Sequence, residues 1–189
     1  ATDGLAFTFY GQAKYETTTF GTSIKTTYYQ ADGSKIGEAF ESSYPVQKDG
    51  VDTTETRIDY RGATDQFLGS EMSDTLGNSE RDITYTQTLN SEPAYLDFNA
   101  NGALNDAIPG GKSVRTEELV RIEGGQTSST VKYFDASTGA FLGGVSTANG
   151  YSSILGGTGM PTGDIYDHLG NLLTVSGILD FAHWDNPNS

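Results

Sequence analysis

Asp97-Phe98-Asn99-Ala100-Asn101-Gly102-Ala103-Leu104-Asn105-Asp106 places oxygen-bearing side chains at alternate positions ahead of a glycine. A hard divalent cation takes six to eight oxygens, and a tight turn aims the side chains of loop positions 1, 3 and 5 at one point. A glycine at position 6 permits the sharp reversal. The run is therefore the first half of a calcium loop, with Asp97, Asn99, Asn101, the Ala103 carbonyl and Asp106 as the expected ligands for Ca2+. Position 12, where an EF-hand supplies a bidentate Glu, is Ile108. The remaining oxygen has to come from Asp106, from the Ala103 carbonyl or from a remote carboxylate. Magnesium fits such an irregular loop poorly. The competing reading is an Asx-rich turn whose side chains satisfy only its own backbone.

Other candidates are sparser. Asp49, Asp52 and Glu55 flank Gly50, and Asp164 and Asp167 flank Tyr166; turn residues and solvated charges account for such groups in most chains. His168 and His183 are the two histidines, with Asp167 and Asp185 beside them, but sequence neighbours on a strand point to opposite faces. There is no cysteine and no GxSxG elbow for a nucleophile. A lyase would draw on Tyr133, Tyr166, His168 and Arg121, and glycoside hydrolysis needs only two well-spaced carboxylates. Aromatics suggest binding instead. Tyr10, Tyr15, Tyr28, Tyr29, Tyr44, Tyr85, Tyr95, Tyr151 and Trp184 are numerous for a small core, and such rings stack well on sugars. Tyr28, Tyr151 and Trp184 are the expected ligand-binding residues.

Strands must position these groups. Residues 5–20, 23–29, 54–60, 80–89, 114–122 and 127–134 alternate apolar or β-branched with polar residues and are bounded by Gly, Asp or Asn. A hairpin pattern recurs, with an aromatic strand end, a Gly/Asp turn and an apolar pair before glycine, from Tyr29 to Gly37, Tyr60 to Gly69 and Tyr133 to Gly143. A fourth copy from Tyr166 to Leu173 lacks the closing glycine. The irregular spacing excludes a fixed-period solenoid. One all-β domain over residues 1–189 is expected, an antiparallel sandwich or flattened barrel of roughly eight to ten strands. Residues 90–112 and 149–163 read as long loops, and short helices have room only at 103–108 or 177–183.

Charge narrows the partners. With 25 acidic against 11 basic residues the net charge is −14, which repels nucleic acid and anionic membranes. No run approaches the roughly 18 apolar residues of a membrane span, so no insertion is expected. Acidity, few lysines, Asn/Asp/Gly-rich turns and the lack of cysteine resemble the calcium-binding, repeats-in-toxin style proteins that Gram-negative bacteria export by type I secretion. The resemblance is one of composition, since no GGxGxDxxx array is present. Ala1-Thr2-Asp3-Gly4 lacks the charged and apolar regions of a signal peptide, so the chain is expected to be mature, trimmed or exported by a C-terminal signal. The resemblance implies a secreted or cell-surface location. The resulting expectation is an extracellular calcium-binding module, an adhesin or matrix protein, that recognises polysaccharide or a cell-surface glycan. The alternative is a β-barrel or β-sandwich enzyme, a lyase, hydrolase or cyclase. The sequence leaves oligomeric state open.

Overall fold

The computed structural model describes residues 9, 11–99, 101, 103–150 and 152–155, together with the backbone of 151, 161–167 and 172–173. Six strands make the first half: Lys14–Phe20 (β1), Ser23–Tyr29 (β2), Lys35–Lys48 (β3), Val51–Gly62 (β4), Phe67–Asp74 (β5) and Ser79–Ser91 (β6). Ala107–Glu123 (β7), Gln126–Asp135 (β8), Phe141–Ala148 (β9), Tyr151–Leu155 (β10), Pro161–Asp167 (β11) and Leu172–Leu173 (β12) follow. Each strand pairs antiparallel with its sequence neighbours, giving one twelve-stranded meander in the order β1 to β12. The chain is all-β and built of hairpins, and the sheet is open rather than closed into a barrel.

At one end of the sheet three of the hairpins are tight. Asp49-Gly50, Gly124-Gly125 and Asn149-Gly150 all have positive φ at both positions, as a two-residue type I′ turn requires. Its twist matches that of the flanking strands. At the other end the recurring hairpins share one device. Tyr28 lies opposite Gly37, Tyr60 opposite Gly69 and Tyr133 opposite Gly143, and the register shifts immediately after each pair. The residue displaced by the shift is Ile36, Leu68 or Leu142, and each packs partly buried against a core cluster. In the first copy the aromatic over the glycine is thus Tyr28 rather than Tyr29, because a one-residue offset moves a side chain to the other face.

Two expected loops are partly strand. The excursion between β6 and β7 is confined to residues 92–106, and Pro109, Gly110 and Gly111 belong to β7. Residues 151–155, expected in a loop, are β10, which pairs with both β9 and β11. Small residues and glycine obscure alternation in these stretches, and pairing on both sides supplies what propensity does not. Residues 103–108 form no helix; residues 177–183 lie outside the described residues.

Cross-strand register puts Ala39, Tyr60, Gly69, Ile83, Glu118, Val131, Val145 and Ile154 in one row on one face. That face carries both cores. Ala39, Tyr60 and Ile83 are covered by Phe9 from the N-terminal segment, and Val114, Tyr133 and Ile154 by Leu96 from the 92–106 excursion. Phe9 lies 4.8 Å from the Tyr28 ring and meets Tyr60 edge-on at 6.0 Å. The opposite face is charged, with Lys25 and Lys35 on Glu38 at 2.6 and 3.0 Å and Arg121 on Glu80 at 2.6 Å.

Candidate metal centre

The 92–106 excursion is tied down at its base and along its first limb. The Glu92 N–H donates to the Asp106 carbonyl at 2.9 Å, directly beyond the Ser91 and Ala107 pair that ends the β6–β7 ladder. A turn follows in which the Leu96 N–H donates to the Pro93 carbonyl at 2.9 Å. It drops Leu96, only 4 % exposed, onto the sheet beside Val114 and Tyr133. Phe98 meets Tyr133 edge-on at 5.8 Å, and the Tyr95 and Tyr133 hydroxyls are 3.3 Å apart. Apolar burial thus fixes the residues on either side of Asp97.

Inside the loop the oxygens are organised by the loop's own donors. Asp97 Oδ1 accepts from the Asn101 N–H at 3.3 Å, and Asn101 Oδ1 accepts from the Ala103 N–H at 2.8 Å. Asn101 Nδ2 donates to Asp106 Oδ2 at 2.6 Å. Asp97 and Asp106 are half-buried, whereas Asn99, Asn101 and Ala103 are exposed. The structure therefore gathers Asp97, Asn101, Ala103 and Asp106 into one hydrogen-bonded loop, with Asn99 on the same turn. Gly102, the glycine at position 6, lies outside the described residues. Among the described residues no three Asp, Glu or His side chains stand together as a ready-made metal cage. Asparagine and carbonyl oxygens make up more than half of the expected set, and the Asn101 amide donates to Asp106.

Sequence reasoning missed Glu92. It is 1 % exposed, and neither carboxylate oxygen has a hydrogen-bond partner. Burial first, and then the nearby Asp97 carboxylate with that of Asp106, push its carboxyl above the usual range. The Asn99 and Phe98 amides lean the other way, but neither reaches ordinary hydrogen-bond geometry. The only sequence signal for it was an acid at the end of a strand, immediately before Pro93.

The other candidates separate. Tyr28 is packed against Phe9 and half-buried, so its ring is not an open platform. Tyr151 begins β10 with its side chain outside the described residues, and Trp184, His168, His183 and Asp185 lie outside them altogether, as do the Tyr166, Asp164 and Asp167 side chains. Asp49 sits in the β3–β4 turn, Asp52 accepts from Gln47, and Glu55 accepts from Tyr44 and pairs with Lys48. Of the lyase residues, Tyr133 stands opposite Thr116 and Arg121 opposite Ser128, five residues apart on β8 and hence on opposite faces. Burial, with Tyr95 nearby, pushes the Tyr133 phenol up, away from the range in which it would ionise readily.

Comparison with protein families, with curated proteins and with solved structures finds no match to this chain.

Proposed function

We propose that this chain is a calcium-stapled extracellular module, secreted or held at the cell surface, whose sheet recognises polysaccharide. The observation that carries the reading is the loop from Asp97 to Asp106, where hydrogen bonds tie Asp97, Asn101, Ala103 and Asp106 together around a turn anchored to the sheet by Leu96 and Phe98. A cation there neutralises part of the −14 charge and fixes the longest connection in the described sheet. It also offers a bridge to an acidic sugar that the protein would otherwise repel. Exposed rings at Tyr15, Phe20 and Phe67 supply apolar faces for a sugar.

Thermal unfolding at constant ionic strength tests the staple. Extracellular calcium modules bind at about 10⁻⁴ to 10⁻³ M. Several millimolar calcium then stabilises the native state by about 1–2 kcal/mol, a rise of several degrees in Tm. Asp97→Ala is expected to abolish that rise, and binding to acidic polysaccharides on an array should require calcium. An unchanged Tm in the wild type with millimolar calcium removes the reading.

A further inference from the structure

We infer that Glu92 is the missing ligand of this loop, a carboxylate that enters from beneath and closes the site around a divalent cation of calcium's size. The inference rests on the calcium reading of Asp97 to Asp106 and adds a residue that the loop pattern does not contain.

Three observations converge on Glu92. Its backbone is fixed at the root of the loop by the hydrogen bond from its N–H to the Asp106 carbonyl. Its side chain is sealed from solvent at 1 % exposure, with both oxygens unpartnered. It also lies within electrostatic reach of both Asp97 and Asp106, and the Asn99 and Phe98 amides are close enough to favour its ionised form. Buried polar groups are almost always hydrogen-bonded, so a carboxyl with neither oxygen satisfied calls for an explanation. Protonation provides only part of one: the hydroxyl can donate to one neighbouring carboxylate, and the second Glu92 oxygen still has no donor. Another side chain does not provide the rest, since the neighbouring charged groups are themselves carboxylates. A cation satisfies all three at once.

The ligand count agrees. Position 12 of the loop is Ile108, which lies in β7 and offers no side-chain oxygen. A bidentate Glu92 takes that role from the opposite end of the excursion. With Asp97, Asn99, Asn101, the Ala103 carbonyl and Asp106 it makes about seven oxygens, within the range calcium prefers. Glu92, Asp97 and Asp106 do not stand together as a three-acid cage in this structure, so engagement requires them to close in as the Asn101 amide releases Asp106 and turns its oxygen inward. Because Glu92 closes the β6–β7 ladder, the cation would join the root of the excursion to its tip.

The test is calcium titration of the full chain, followed by calorimetry and thermal unfolding, for wild type, Glu92→Gln and Asp97→Ala. Glu92→Gln replaces an unpartnered buried acid with a neutral amide of the same shape. Without calcium it is expected to melt at or above the wild-type temperature. With calcium it is expected to lose at least about tenfold in affinity and most of the Tm gain, reversing the order of the two proteins. Wild type and Glu92→Gln responding equally to calcium would overturn the role of Glu92 while leaving the calcium loop standing. No calcium response in the wild type overturns both. If Glu92→Gln does not fold, Tb3+ soaked into wild-type crystals decides: anomalous scattering should place the ion within about 2.5 Å of a Glu92 oxygen, and a position beyond coordinating distance refutes the inference.

Discussion

Asp74 shows how a single carboxylate can organise a turn. Its side chain is fully shielded, and it accepts from the Leu76 and Asn78 amides at 2.9 and 3.0 Å, from Asn78 Nδ2 at 3.0 Å and from Lys48 Nζ at 3.1 Å. Burial by itself would raise its pKa. The hydrogen bonds from Asn78, Lys48 and Leu76 outweigh it and hold the group at about 2. A folded-state pKa below that of the unfolded chain means that the unfolded state binds the proton more readily. The resulting stability is fully present above about pH 4 and is lost as pH falls toward 2. Asp74→Ala should therefore destabilise the protein by about 2 kcal/mol at neutral pH and flatten its acid limb. Urea unfolding of both proteins from pH 6 to pH 2 reads this directly; parallel pH profiles would show that Asp74 carries no such linkage.

The element that sets the register of the sheet is the bulge that follows each aromatic and glycine pair. Gly69 has φ +137°, and a Cβ there would run into the Asp82 carbonyl and the Ile83 backbone on β6. These are ladder atoms that cannot move without separating β5 from β6. Gly69→Ala should cost about 3 kcal/mol or more and speed hydrogen exchange of β5 and β6 amides. Gly77→Ala is the control. It also has positive φ, but nothing lies within 4 Å of its added methyl, so its cost should stay near 1 kcal/mol. Equal losses in the two variants would mean that backbone conformation alone, and not the close approach of β6, requires glycine at position 69. The same pairing explains Tyr60. It stands opposite Gly69 on β5, and its ring meets that of Phe9 edge-on.

Across the whole molecule, one sheet presents two dissimilar faces. One carries both apolar clusters, covered by Phe9 and the 92–106 excursion, together with the shielded pairs of Arg81 with Glu118 and Glu71; the other carries the more exposed ion pairs and aromatic rings topped by cations, such as Arg115 over Phe134 at 4.1 Å. Exposed ion pairs contribute little individually. The excess of 25 acidic over 11 basic residues makes repulsion the larger electrostatic effect. Raising NaCl shortens the screening length from about 10 Å at 0.1 M to about 3 Å at 1 M. Tm should therefore rise with salt in calcium-free buffer, by an amount that Asp97→Ala leaves unchanged. A Tm that falls with salt would show that the ion pairs dominate. Calcium-specific stabilisation must appear on top of this screening.

Period-two alternation and the Asp/Gly/Asn turns were enough to predict strands, hairpins and an acidic all-β chain, because strand formation and tight turns depend on neighbours within a few residues. The oxygen spacing from Asp97 to Asp106 was readable for the same reason. Several things depended on contacts that no local pattern encodes. Tyr28 rather than Tyr29 faces Gly37 because β3 sets the register from the far side of a turn. Residues 151–155 become β10 because β9 and β11 bond them on both edges. Tyr133 and Arg121 fall on opposite faces through strand parity once their strand is placed. Glu92 is a buried acid only in the assembled fold, where the excursion that it opens docks through Leu96 and Phe98 onto Val114 and Tyr133. Burial is a property of the assembled sheet, and it is burial that turns an ordinary glutamate into a candidate ligand.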